Sequence, residues 1–128
     1  LSSPSIFILH GEQAARERLL TQLSDIGYDN ARGYSCGREA REACKGSPPD
    51  ILIVDSNVND VSSVELVQRC RLDRSDLRVV ITASTATMGE TSSPLHRLAN
   101  ATLISPIGMW ELRQTMRNQM SALDAAAS

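Results

Sequence analysis

Residues 51–66 read ILIVDSNVNDVSSVEL, an apolar run that ends on Asp55 and passes into Asn57, Asn59, Asp60, two adjacent serines and Glu65. Carboxylate and amide oxygens at that density suit three chemistries: ligation of a hard cation, acceptance of a phosphoryl group by Asp55, or a strand-end turn in which the aspartate hydrogen-bonds its own loop. A calcium loop of the form D-x-[DN]-x-[DN]-G-x5-E begins well with Asp55, Asn57 and Asn59. It then fails at three places: Asp60 stands where glycine makes the sharp turn, Ser62 where an apolar residue is usual, and Leu66 where a bidentate glutamate closes the cage, Glu65 falling one residue early. A β-type run also precedes the loop where a calcium site needs a helix.

An apolar strand followed by D-x-[DN]-x-V also resembles the first motif of the haloacid-dehalogenase-like phosphatases, with Asp55 as nucleophile. That chemistry needs a second carboxylate as general acid, a lysine, and downstream acids for magnesium. Asn57 stands at the second carboxylate, Lys45, the one lysine among thirteen basic residues, precedes the motif, and too little chain follows residue 55 to supply the rest.

The elements that must position Asp55 are legible in the apolar spacing. Ser5 to Leu9 is a β-rich run ending at His10-Gly11, after which Ala15, Leu19, Leu23 and Ile26 recur at helical spacing up to Gly27. A weak strand follows around Asp29 to Tyr34, then a short helix over Arg38 to Lys45, stopped by Gly46 and Ser47-Pro48-Pro49. Ile51 to Val54 is apolar without alternation, as befits a central strand covered on both faces. Ser62 and Glu65 match a capping box, and Val64, Val67, Cys70 and Arg71 continue at helical spacing. Leu77 to Ala83 is a fourth strand and Ala101 to Ser105 a fifth, stopped by Pro106. Between them, Gly89 and Pro94 interrupt the segment from Ser84 to Asn100, so its helix is short and displaced toward Leu95 to Ala99. Met109, Leu112, Met116, Met120 and Leu123 share one face of a final helix, and residues 125–128 read as a frayed, disordered tail behind a single domain over residues 1–124.

Five strands alternating with five helices predict an α/β fold: a flavodoxin-like, doubly wound parallel sheet in the order 2-1-3-4-5, each crossover covered by a helix. Ligands of such sheets sit at the carboxyl ends of the strands near the switch point. His10-Gly11, Asp55, Thr82-Ala83 and Ser105 should converge there.

The bulk numbers agree with one domain. The chain has 128 residues, 41% of them hydrophobic, enough for one core. A formal charge of −2 with a pI of about 5.6, and scattered basic residues, argue against direct nucleic-acid or anionic-membrane binding by this domain. Cys36, Cys44 and Cys70 lack metal-ligand spacing and read as free thiols in a reducing cytosol. Apolar runs of about five residues are too short to span a membrane, and no signal-type segment opens the chain, so a cytoplasmic location is expected. The chain opens at Leu1 without a methionine, as a trimmed piece would.

From Ser5 to about Leu123 the sequence resembles the receiver domain of bacterial two-component response regulators. The matching features are the strand-helix order, IVDS at the end of strand three, ITA in strand four, and LISP where the family has L-x-K-P, with 50 residues separating Asp55 from Ser105. The resemblance implies that Asp55 holds the position of the phosphoacceptor in a phosphorelay, fed by a histidine kinase. It also shows where the chain departs from the pattern. His10 and Gly11 stand where the family's acidic pair would hold magnesium, leaving Glu12, Asp55 and the carbonyl of Asn57 as a weak residual site at best, and no other cofactor is implied. Ser105 replaces the phosphate-contacting lysine. The switch hydroxyl is Thr82 by the ITA motif or Ala83 by counting back from Pro106, and Thr102 stands at the position of the switching aromatic.

The expectation is therefore an atypical receiver, not an enzyme, that signals through protein contacts with a kinase, an output domain or a second copy of itself through residues 84–123. Asp55 as a plain strand-end residue is the bland alternative; His10 reads as a polar strand-end residue, with a pH-responsive or ligand-contacting group as its alternative, and Trp110 as packing at the start of the last helix, with an interface anchor as its alternative. Two rivals stand beside it: the amino-terminal pseudo-receiver of an RNA-binding antitermination regulator, and a small flavodoxin-like cofactor binder, which the turn HGEQAAR serves poorly because it lacks a phosphate cradle.

Overall fold

The computed structural model describes residues 3–58, 61–84 and 94–127. Ten elements alternate along it: β1 (Ile6–Leu9), α1 (Gln13–Asp25), β2 (Ala31–Tyr34), α2 (Gly37–Gly46), β3 (Ile51–Asp55), α3 (Val61–Asp73), β4 (Arg78–Ala83), α4 (Pro94–Leu98), β5 (Ala101–Ile104) and α5 (Met109–Ala127). The strands form one parallel sheet in the order β2-β1-β3-β4-β5. The expected doubly wound architecture is the one observed.

Side chains alternate across a strand with period two, and both faces of this sheet are covered. Phe7, Leu9, Leu52, Val54, Val79 and Ile81 point to one face, where they meet Ala40 and Cys44 of α2, Leu66, Val67 and Cys70 of α3 and Leu95 of α4. Ile6, Ile8, Ile51, Ile53, Val80 and Leu103 point to the other, against Leu19 and Leu23 of α1 and Leu112, Met116 and Leu123 of α5. Every residue from Ile51 to Val54 is fully buried, which is why that run shows no polar alternation. Each such side chain contributes about 1.5–3 kcal/mol of burial.

The amino-terminal edge of the sheet is tied by polar groups. The Asp50 carboxylate accepts a hydrogen bond from the Ser5 backbone N–H at 2.6 Å and pairs with the Arg74 guanidinium, while the Arg78 N–H donates to the Asp50 carbonyl at 3.1 Å. Asn100 ties the next stretch: its side-chain oxygen accepts from the Val79 N–H at 2.8 Å and from Arg71 at 2.9 Å. Helix α1 ends where the sequence indicates. Gly27 has φ +98°, the Gly27 N–H donates to the Ser24 carbonyl and the Tyr28 N–H to the Leu23 carbonyl, closing the paired reverse bonds of a glycine-terminated helix.

Three boundaries differ from the sequence reading. β2 covers only residues 31–34, with an exposed centre at Arg32 and Gly33, as an edge strand with little to bury does. α3 begins at Val61, so Ser62 stands one position inside the helix instead of capping it, and the cap falls outside the described residues. α5 runs through Ala127 where a disordered tail from residue 125 was expected. Alanine has the highest intrinsic helix propensity, so three alanines after Asp124 prolong a helix already nucleated by the core-facing turns. Most of the irregular segment between β4 and α4, including Gly89, lies outside the described residues; α4 itself opens at Pro94, a residue that fits a first helical turn because it has no N–H to satisfy.

Candidate functional site

The order β2-β1-β3 places a switch point between β1 and β3, whose following helices α1 and α3 pack on opposite faces. Leu9 and Val54 are the last registered partners of the two strands, so the next residues, His10 and Asp55, emerge side by side. Asp55 is the last residue of β3 and is 5% exposed.

Both oxygens of its carboxylate are engaged. Oδ1 accepts a hydrogen bond from Thr82 Oγ1 at 2.9 Å, with Thr82 registered directly opposite on β4. Oδ2 accepts from the Asn57 backbone N–H at 3.1 Å, and the Val58 N–H donates to the Asp55 carbonyl at 3.0 Å, which closes the turn after the strand. The His10 Nε2 lies 3.4 Å from Oδ1. Its other ring nitrogen, Nδ1, accepts the Glu12 backbone N–H at 3.1 Å, which fixes the ring with its Nε2 edge facing Asp55. Arg16 Nη1 donates to the His10 carbonyl at 2.7 Å and holds the strand end in place.

Two small cavities flank the pair. One, of about 70 Å³, is lined by His10, Gly11, Glu12, Asp55, Asn57 and Val58. The other, of about 90 Å³, lies toward β5 and takes His10, Thr82, Ser105 and Pro106 with Arg18 and Gln22 of α1. Gln22 closes its far side by donating to the Ile107 carbonyl at 3.0 Å.

Among the residues expected to act together, Glu12, Asp55 and Asn57 do share one cavity, and Thr82 and Ser105 share the other. Thr82 brings its hydroxyl to Asp55, whereas Ala83 is buried with a methyl group. Thr102 is exposed on β5 and lines a groove with Ile104, Trp110, Glu111 and Gln114. Lys45 pairs with Glu42 on α2 at 2.9 Å and lines a cavity between α2 and α3, away from Asp55.

One expectation is sharpened and one needs correction. His10, a strand-end residue expected to converge with Asp55, lies directly against its carboxylate. The signal was present in the parallel register: β1 and β3, each ending in a buried apolar run, had to bring the residues after Leu9 and Val54 together. Trp110 was read as packing, yet it is 69% exposed, because α5 turns Leu112 and Met116 inward and leaves Trp110 on the opposite side.

The residues present do not fit magnesium. That ion takes near-octahedral oxygen ligands at short range, and here a ring nitrogen of His10 stands 3.4 Å from Asp55 Oδ1, which already accepts the Thr82 hydroxyl. Among the described residues, no three His, Cys, Asp or Glu side chains gather closely enough to hold a metal ion. What the arrangement can do is hold one carboxylate, nearly dry, between a hydroxyl, an imidazole and a backbone amide.

No protein-family model matches the chain. It is 23% identical over its full length to a probable transcriptional regulator, ycf27, of Porphyridium aerugineum, and it spans 52% of that relative, about half its length. Solved structures of similar fold include a putative response regulator from Chloroflexus aurantiacus (21% identity, 93% of this chain and 98% of that one, TM-score 0.80). NtrX from Brucella abortus in complex with ADP superposes with TM-score 0.84 at 16% identity, over 98% of this chain and 29% of that one. A CheY-like receiver domain from Methylobacillus flagellatus does so with TM-score 0.77 at 21% identity, over 92% of this chain and 99% of that one. The chain thus has the fold of the response-regulator receiver domains, with Asp55 at the end of its third strand.

Proposed function

We propose that the chain is a receiver-like signalling module of a two-component response regulator, with Asp55 at the phosphoacceptor position, that works through protein contacts and turns over no substrate. The observation that carries this reading is the enclosure of Asp55. Thr82 and His10 address one oxygen and the Asn57 amide the other, so the carboxylate is satisfied by the chain's own groups. Phosphoryl transfer depends on positioning and on neutralising oxygen charge. The resemblance to receivers implies a lysine and an acidic pair for that task, and Ser105, His10 and Gly11 hold those positions.

In this reading the Thr82 hydroxyl and exposed Thr102 are the switch positions of a site whose resting arrangement is already locked. The contact surface is the face of α4, β5 and α5 within residues 84–123, where exposed Trp110 supplies a large amphipathic side chain of the kind that anchors interfaces. A kinase, an output domain or a second copy would dock there, in the cytoplasm. Similarity to a transcriptional regulator of about twice the length supports the chain as the receiver-like part of a longer regulator.

The test is incubation with acetyl phosphate, and separately with beryllium fluoride, in millimolar magnesium, read by intact mass and Trp110 fluorescence. The expected result is an unchanged mass and spectrum. Stoichiometric, magnesium-dependent phosphorylation that disappears in Asp55→Asn would overturn the reading.

A further inference from the structure

Cys44 on α2 and Cys70 on α3 are both free and buried, 8% and 2% exposed, and their sulfurs share a hydrogen bond at 3.1 Å. The two helices pack side by side, so each residue's backbone carries its sulfur toward the other. A disulfide needs the sulfurs about 1 Å closer. A cleft of about 70 Å³ leads to both sulfurs and is lined by Arg41, Lys45, Arg69 and Asp73 as well as Leu66.

We propose that Cys44 and Cys70 form a reversible oxidation site in which hydrogen peroxide converts the thiol pair into a disulfide linking α2 to α3. Cys70 is the attacking sulfur. The Cys44 thiol beside it holds the Cys70 thiol below its usual range, and the same shared hydrogen bond, with burial, pushes Cys44 up. The Cys70 thiolate attacks one peroxide oxygen, the O–O bond breaks, and the departing hydroxide takes a proton to become water, leaving a sulfenic acid on Cys70. Cys44 sulfur then attacks Cys70 Sγ. The S–O bond breaks, the S–S bond forms, and the leaving hydroxide takes the Cys44 proton as a second water. Two thiols and one peroxide become one disulfide and two waters, the sulfurs giving up the two electrons that peroxide gains. The size of the cleft selects the oxidant: peroxide enters, whereas a tripeptide disulfide is too large. Cys36, on the other side of α2's start and hydrogen-bonded to Glu39 at 3.7 Å, stays outside the pair.

The folded protein is treated with hydrogen peroxide, quenched, denatured, alkylated and measured by intact mass and tryptic mapping without reductant. The expected product has lost two hydrogens, takes up alkylating reagent at Cys36 only, and yields a fragment joining residues 42–45 to 70–71 that a dithiol reductant separates. Cys36→Ser should behave identically. Full alkylation of Cys44 and Cys70 after peroxide, oxygen adducts on either without the joined fragment, or a bond that includes Cys36 would each overturn the proposal. Wild-type protein carries the decisive measurement, so the outcome does not depend on a cysteine variant folding.

Discussion

His10 Nε2 lies 3.4 Å from Asp55 Oδ1, although 45 positions separate the two residues in the chain. Their meeting follows from one register: Leu9 opposite Val54, each the last buried apolar residue of its strand. The contact sets a ring nitrogen beside a carboxylate whose same oxygen accepts the Thr82 hydroxyl.

The Thr82–Asp55 hydrogen bond is buried and charge-assisted, so its loss should be felt in stability. Thr82→Val keeps the shape and removes the donor, and should destabilise the fold by about 1–2 kcal/mol. Urea unfolding measures it. In an Asp55→Ala background the same substitution should be close to neutral; an undiminished effect there would mean that Thr82 contributes through packing alone.

Arg74 bridges Asp50 and Asp76 at the opposite edge of the sheet, its Nε donating to Asp76 Oδ1 at 2.9 Å. Arg74→Ala should destabilise by about 2 kcal/mol, most of it from the Asp50 carboxylate left buried without its cation. The Arg74 hydrogen bond holds the Asp76 carboxyl below its usual range. A depressed folded pKa gives stability that is present above the unfolded value and lost as pH falls below about 4. Wild type should therefore lose part of its advantage over Arg74→Ala on acidification, and an advantage that grew toward pH 3 would refute the assignment.

Restoring the missing groups should restore the chemistry if the reading of the site is right. A Cβ built at Gly11 meets nothing within 4 Å, so that position accepts a side chain. The triple variant His10→Asp, Gly11→Asp, Ser105→Lys should gain magnesium-dependent labelling by acetyl phosphate at Asp55, read by mass. No gain in a variant that keeps its circular dichroism would show that the obstacle lies elsewhere than in these three residues.

Trp110 is exposed, so its removal should spare the fold and spend its effect on contacts. Trp110→Ala should change unfolding free energy by less than about 0.5 kcal/mol and lower any self-association seen by sedimentation. A large loss of stability would place Trp110 in the core instead.

Much of this was legible before any coordinates. Unbroken burial of Ile51 to Val54 was readable from four consecutive branched or long apolar residues, and Gly27 announced the end of α1 because its left-handed backbone suits only a residue without Cβ. What local pattern misread were the places where context outweighs propensity: α5 continuing through three alanines, Trp110 facing outward although it adjoins the apolar stripe, and Ser62 falling inside a helix whose first turn it seemed to cap. The Cys44–Cys70 contact left no trace in spacing, since residues 26 apart on different helices meet only when α2 and α3 dock.

Taken alone, the chain's order of residues determined the alternation of strands and helices, the parallel sheet, and the placing of Asp55 at the end of a buried strand, because periodicity and turn residues act over a few neighbours. Only the tertiary structure decided what Asp55 touches. Strand register brought His10 and Thr82 to its carboxylate and left Lys45 on a remote helix, and such pairings depend on how the two faces of the sheet share their burial, a property of the whole core and not of any short stretch.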